Sequence, residues 1–160
     1  MKNLAAAGLL VSIALSASAG CSAVLGNVPT HVRAALGPFV REGYACSESR
    51  SDDQSPFRQW QCDETTLDGV HYTVTLDADD RHLKNVIGTI DQSTRATTDR
   101  DAAIRFFGEI ANVRIGELDP SIKTWIGTHL GGGAQESFGS VFATLEELKP
   151  VTHLVLFDSA

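Results

Sequence analysis

The densest group of side chains able to do chemistry stands at residues 77–82, where the sequence reads Asp-Ala-Asp-Asp-Arg-His. Three carboxylates and an imidazole within six residues are groups that bind Ca²⁺ or another divalent cation. The spacing excludes an EF-hand loop, which needs Gly and Glu where His82 and Gly88 stand. A turn between strands explains the same residues, because Asp side chains hydrogen-bond nearby backbone in tight turns. Two interpretations follow, a polar turn and a weak metal site formed by Asp77, Asp79, Asp80 and His82.

The sequence lacks the signatures of common hydrolases and zinc enzymes. No two of the five histidines stand three to five residues apart, so no His-Glu-x-x-His motif is present. There is no Gly-x-Ser-x-Gly motif, and no Ser-x-x-Lys motif with its companions. The glycines at 131–133 are followed by no Lys-Ser/Thr pair, so we interpret them as a helix stop and not as a phosphate loop. We predict no catalytic residue and no cofactor, and a hydrolase using carboxylates stays open because Asp and Glu are plentiful.

Alternation of apolar and polar residues predicts a sheet in the first half of the chain. Strands are expected at residues 44–48, 59–64, 70–76 and 83–90. The polar segment 49–56 is expected to form a solvated hairpin tip, a place where binding residues are often found.

Helical spacing stands on both sides of these strands. The first helix is expected to begin with Thr30 as its N-cap, to kink or split at Pro38 and to end at Gly43. A second helix is expected after Thr97, and a third after Asp119, whose N-cap type is followed by a proline suited to the first turn.

The last segment is ambiguous at residues 136–148, which fit a helix or a strand. We favour a closing hairpin with a strand at 152–157. The expected fold is therefore α+β, a single domain over residues 30–160. It combines an antiparallel sheet of four to six strands with two or three helices packed on one face.

The N-terminus has the pattern of an export signal. Lys2 supplies the positive start, residues 4–15 are apolar, and residues 16–20 are all small. Twelve apolar residues are too few to span a bilayer as a helix, which takes about 20. We therefore expect residues 1–20 to be a signal peptide.

The sequence Ser18-Ala19-Gly20-Cys21 resembles the lipobox of bacterial lipoproteins, although that family usually has an aliphatic residue in place of Ser18. The resemblance implies that Cys21 is acylated, palmitate included, becomes the new N-terminus and anchors the protein to a membrane. Residues 21–29 then form a lipidated tether, and the domain faces the periplasm or the cell exterior. Cleavage after Ala17-Ser18-Ala19 by ordinary signal peptidase, with soluble export, is the alternative.

The three cysteines form an odd set for an exported protein. Acylation of Cys21, which the resemblance implies, leaves Cys46 and Cys62 to pair. Both stand in predicted strands with 15 residues between them, and a cross-strand disulfide is expected in an oxidising compartment. A redox or metal-binding pair is disfavoured because the two lack CxxC spacing.

Charge limits the class of partner. The chain carries 13 basic and 20 acidic side chains, a net charge of −7, and removal of residues 1–20 makes it −8 because only Lys2 is lost. This balance argues against nucleic acid and against anionic membrane surfaces as partners. The leading hypothesis is a non-enzymatic envelope lipoprotein that binds a basic protein or an envelope component. The alternatives are an envelope hydrolase using carboxylates and a weak binder of divalent cations or small ligands.

Overall fold

The computed structural model describes residues 28–50, 57–93, 99–115 and 120–158. Four predicted features lie outside the described residues: the leader with Cys21, most of the tether, the hairpin tip at 51–56 and the N-cap Asp119. The helices are α1 (Thr30–Glu42), α2 (Arg100–Ile115) and α3 (Pro120–His129), and none of these three is long and apolar enough to cross a membrane. The strands are β1 (Ala45–Arg50), β2 (Arg58–Thr65), β3 (His71–Ala78), β4 (Leu83–Asp91), β5 (Ala134–Phe138), β6 (Val141–Leu148) and β7 (Val151–Asp158).

The strands form one antiparallel sheet in the order β1-β2-β3-β4-β7-β6-β5. Two meanders, β1 to β4 and β5 to β7, meet where the last strand of each pairs with the other. The α+β prediction is confirmed at this level. The sheet has seven strands and not four to six, because the ambiguous segment 136–148 contains two strands joined at Gly139, whose φ of +64° suits a tight turn.

All three helices contribute to a core on one side of the sheet. Strand residues alternate between this side and the other, as a period of two requires. The largest fully buried side chains come from both layers: Trp60, Leu76, Ile90, Leu154 and Leu156 from strands, and Leu36, Phe39, Phe107, Ile110 and Ile126 from helices. Each such side chain contributes about 1.5–3 kcal/mol when it leaves water.

Helix α1 differs from its prediction at its start and agrees with it at its end. Thr30 is the first helical residue and not the N-cap, because Pro29 occupies the cap position and offers no side-chain hydrogen bond. The helix runs through Pro38 without being split. It ends at Gly43 as predicted, where φ of +100° lets the backbone N–H groups of Gly43 and Tyr44 donate to the carbonyls of Val40 and Phe39.

Helices α2 and α3 are fastened together by Arg100. Its guanidinium donates to the carbonyl of Leu130 at 3.3 Å and also to the carbonyl of Gly127. These carbonyls belong to the C-terminal end of α3, which has no helical donors of its own left to satisfy them. The first turn of α2 therefore caps the C-terminal end of α3.

A buried indole marks the corner of the sheet near β1. Trp60 is 1% exposed, and its Nε1–H has no hydrogen-bond partner among the described residues. The guanidinium of Arg58 lies 5.1 Å from the centre of this ring and donates to both carboxylate oxygens of Glu48. The bonds from Arg58 hold the pKa of the Glu48 carboxyl below its usual range.

Candidate functional site

The predicted disulfide joins two directly opposed residues of β1 and β2. Cys46 and Cys62 face each other in the antiparallel register, with Cα atoms 4.0 Å apart, and their sulfurs are bonded. Cys62 is completely buried on the helix side of the sheet. The pairing prediction is confirmed, and both sulfurs are part of a structural disulfide. The lipidation prediction for Cys21 lies outside the described residues.

The acidic segment 77–82 is divided between a strand and a turn. Asp77 is on β3, where its carboxylate accepts hydrogen bonds from the amides of Gln59 at 2.9 Å and Asn85 at 3.2 Å. Asp79 is in the turn, and one carboxylate oxygen accepts the backbone N–H groups of Arg81 and His82, each at 2.7 Å. These backbone bonds hold the pKa of the Asp79 carboxyl below its usual range.

The structure brings only two of the four candidate cation ligands, Asp79 and His82, within 4 Å of each other among the contacts that it shows. Asp80 and His82 are exposed, and the His82 ring nitrogen is 3.8 Å from the carboxylate of Asp79. Within the described ranges, no group of three or more His, Cys, Asp or Glu side chains is arranged to hold a metal ion. The bonds of Asp77 and Asp79 are those of a sheet and a turn, so no metal site is proposed here.

One whole face of the sheet has no described helix packed on it, and we call it the open face. Its middle row crosses all seven strands through residues in register: Ser47, Gln61, Thr75, Ile87, Val155, Thr144 and Gln135. Most of these side chains are half-buried by their neighbours, whereas on the five inner strands the residues one position along are buried on the helix side. The open face is thus a surface of seven strands that no described helix covers.

The half of the open face over β2 and β3 is polar and hydrogen-bonded. Besides the Asp77 network, the Thr73 hydroxyl donates to the Asp63 carboxylate at 2.9 Å. On β4 and β7, the Thr89 hydroxyl and Nδ1 of His153 are 3.0 Å apart. Such bonds between neighbouring strands hold the polar side chains in place before any partner arrives.

The other half of the open face is apolar at its centre. Ile87 and Val155 are cross-strand neighbours, and the rings of Phe142 and Phe157 lie 5.1 Å apart in the adjoining row. Leu148, at the end of β6 on the same face, is 64% exposed.

Carboxylates stand around that apolar centre, at in-register positions of four strands: Asp63, Asp77, Asp91 and Glu146. Hydrogen bonds from Ser93 hold the pKa of the Asp91 carboxyl below its usual range. Among the in-register positions on this face whose side chains are described, none is Lys or Arg. The open face therefore combines apolar contact area with net negative charge.

A cleft of about 460 Å³ lies on the opposite side, between α1, α2 and the start of α3. Aromatic rings line its inner wall, with Tyr44 set edge-to-face against Phe39 at 5.6 Å and Tyr72 against Phe106 at 5.1 Å. Charged side chains from three helices and one strand complete the lining: Glu42, Glu64, Arg105, Glu109 and Lys123.

The tyrosine at the bottom of this cleft is tied to a carboxylate. Tyr44 is 5% exposed and donates a side-chain hydrogen bond to Glu64. Burial raises the pKa of the Tyr44 hydroxyl far above its ordinary value, and the negative charges of Glu64 and Glu42 add to the effect. The hydroxyl therefore stays protonated and serves as a fixed donor.

Similarity assigns no role to either surface. No protein-family model, no curated protein and no solved structure matches this chain. A function for the open face or the cleft thus has to be supported by contacts, burial and charge.

The cleft residues were not singled out from the sequence, although one of them left a signal there. Glu64 follows Trp60 and Cys62 at a spacing of two, so a strand that buries those residues turns Glu64 to the same side. A carboxylate at an inward-facing strand position needs a partner, and Tyr44 supplies it. Arg105 and Lys123 left no such signal, because they belong to different helices whose packing brings them to one cleft.

Proposed function

We propose that this chain is a binding module of the bacterial envelope, held to a membrane by lipid on Cys21, whose open face docks a protein with a basic surface. The observation that carries the proposal is the apolar centre of the open face, surrounded by carboxylates and left without a described helix over it. No catalytic step is part of this function.

The apolar centre supports a protein as the occupant. Ile87, Val155, Phe142 and Phe157 are half-buried and contiguous across three strands. Contiguous apolar area that reaches the surface marks interaction sites more often than single apolar residues do. Interfaces typically combine an apolar centre with a polar rim. The hydrogen-bonded polar half of the open face provides such a rim.

The charges on the rim define the chemistry of the partner. Four carboxylates and no described in-register Lys or Arg favour a surface that carries Lys and Arg. Complementary charge accelerates encounter and selects against wrong partners more than it adds affinity. The net charge of the whole chain, −7, acts in the same direction.

Two features support an envelope location. The lipobox-like sequence at Ser18 to Cys21 follows an export-type leader. The Cys46–Cys62 disulfide is of a kind that persists in oxidising compartments and is rare in the cytosol.

A photo-crosslinking side chain, p-benzoylphenylalanine, placed at Val155 in intact cells tests the docking surface. We expect a defined crosslinked protein from Val155, and none from the same probe at Thr128, an exposed residue of α3 on the helix side. Binding of the purified partner should weaken as salt is raised, because salt screens exposed charges. Glu146→Lys and Asp63→Lys should each lower the association rate several-fold.

Glu136→Lys is the matched control, since Glu136 is an exposed carboxylate of β5 that stands in the row of Ala143 on the helix side. A partner whose binding ignores salt, or responds equally to Glu136→Lys, would contradict the proposal. A crosslink to a second copy of this chain would replace it with self-association through the open face.

A further inference from the structure

The gap between α1 and α2 extends beyond the cleft. A second pocket of about 380 Å³ lies next to it, with Ala34, Ala35 and Pro38 of α1 facing Val113 of α2. Glu109 and Asn112 line both pockets, so they stand at the junction between the two. The two pockets thus share a wall on α2, and the first is aromatic and charged whereas the second is more aliphatic.

The charged groups of the cleft are not paired with one another. Arg105 and Glu109 are four residues apart on α2, a spacing that allows an ion pair, yet no ion pair joins them. Among the described residues, Glu42 and Lys123 form none either. Their charges are therefore available to a ligand.

We propose that the cleft binds an organic cation, an ammonium group carried on an apolar chain. Glu42 and Glu64 provide the opposite charge, and Tyr44 and Tyr72 provide aromatic walls, whose ring faces attract cations. The Tyr44 hydroxyl uses one acceptor site of the Glu64 carboxylate, which has about four, so capacity remains for an ammonium N–H.

The rest of the lining fits an apolar body. Phe39, Phe106 and Ile122 line the cleft beside the charged groups, and a volume of about 460 Å³ lies in the range of small-molecule sites. Arg105 on α2 and Lys123 on α3 also line the cleft and give a second binding position to an anionic group at the other end of the ligand. A ligand with ammonium and carboxylate separated by methylenes therefore uses more of the site than a simple amine.

Three six-carbon probes test this inference on the purified protein by calorimetric or NMR titration. Hexylamine and 6-aminohexanoate should bind with a Kd of about 1 mM or tighter, which is reasonable for ligands with so few heavy atoms. Hexanoate, which lacks the ammonium group, should bind at least about tenfold more weakly. Equal binding of hexanoate, or no binding of either ammonium probe, would overturn the inference.

Variants locate the binding. Glu42→Gln and Glu64→Gln should each weaken hexylamine about tenfold, whereas Glu136→Gln, which changes a carboxylate outside the cleft, should have no effect. Glu42 is exposed, so its substitution leaves the fold intact and keeps the test valid even where Glu64→Gln fails to fold. An unchanged Kd in Glu42→Gln would contradict the assigned site. The docking proposal for the open face does not depend on this result.

Discussion

The side chain of Ile110 fills the space above Gly88 in the middle of the sheet. A β-carbon built on Gly88 would lie 2.8 Å from Cγ1 of Ile110, closer than carbon atoms approach in folded proteins. Gly88 therefore allows α2 to sit directly against β4. The position of α2 in turn sets the cleft, since Arg105, Phe106 and Glu109 are on this helix.

Gly88→Ala should destabilise the protein by about 1–3 kcal/mol, because an added methyl group in a filled core forces a shift of its neighbours. Urea unfolding followed by circular dichroism measures this. Gly127→Ala is the control: its β-carbon would meet Ile104 at 3.6 Å, an ordinary contact, and alanine favours a helix. We expect Gly127→Ala to be neutral or more stable by up to about 1 kcal/mol. Equal stability of the two variants would contradict the close approach of α2 to β4.

Loss of the Cys46–Cys62 bond should lower the free energy of unfolding by about 3 kcal/mol, the amount that follows from closing a loop of this size in the unfolded chain. The comparison is between the oxidised protein and the protein reduced with dithiothreitol, both carrying the Cys21→Ala substitution. Peptide mapping under non-reducing conditions should find the two cysteines joined. Free thiols at both positions in protein taken from the envelope would contradict the bond.

Alkaline solution should unfold the protein through Tyr44. Its pKa is raised by folding, so its contribution to stability is complete below the unfolded value of about 10 and is lost as the pH rises above it. Tyr44→Phe should cost about 1 kcal/mol at pH 7 through the lost hydrogen bond and should show a smaller further loss between pH 9 and 11. Urea midpoints across that range measure the difference.

Tyr72→Phe is the matched control, because it removes the other tyrosine hydroxyl of the cleft and leaves the bond between Tyr44 and Glu64 in place. It should retain the alkaline decline of the unmodified protein. If both variants declined alike, Tyr44 would not be the group responsible.

Cys21→Ala should release the protein from membranes, since the lipid on this residue is proposed to be its anchor. Fractionation of cells and immunoblotting measure the distribution, and mass spectrometry of the N-terminal peptide identifies the acyl groups. Ser18→Leu, which restores the usual lipobox residue, serves as the control and should remain on the membrane. A variant without Cys21 that still sediments with membranes would rule out the lipid anchor.

The sequence was sufficient for the elements whose pattern is local. Period-two alternation located β3 and β4 almost to the residue. Gly43 predicted the end of α1 because glycine readily adopts the left-handed conformation that this residue has in the structure. It was insufficient at residues 136–148, where Phe138, Val141 and Leu145 fit a helical stripe as well as strands. The turn at Gly139 decides between the two: β5 and β6 pair with each other on either side of it, and β6 also pairs with β7.

The open face and the cleft could not be predicted from the sequence for a different reason. Phe142 and Phe157 become neighbours only when β6 pairs with β7, and Glu42 meets Lys123 in one cleft only after α1 and α3 have packed on the sheet. Such juxtapositions depend on tertiary packing, which residue spacing does not encode. The acidic turn at 77–82, by contrast, is a local motif, and its backbone bonds follow from Asp79 alone.

Val28, the first described residue, is 8% exposed and belongs to the core. Seven residue steps separate it from Cys21, and a fully extended chain of that length spans at most about 25 Å. A lipid on Cys21 would therefore hold Val28 within about 25 Å of the bilayer. A soluble partner of the open face would have to come to the membrane, and small amines would be captured from the layer of solvent next to the lipid headgroups.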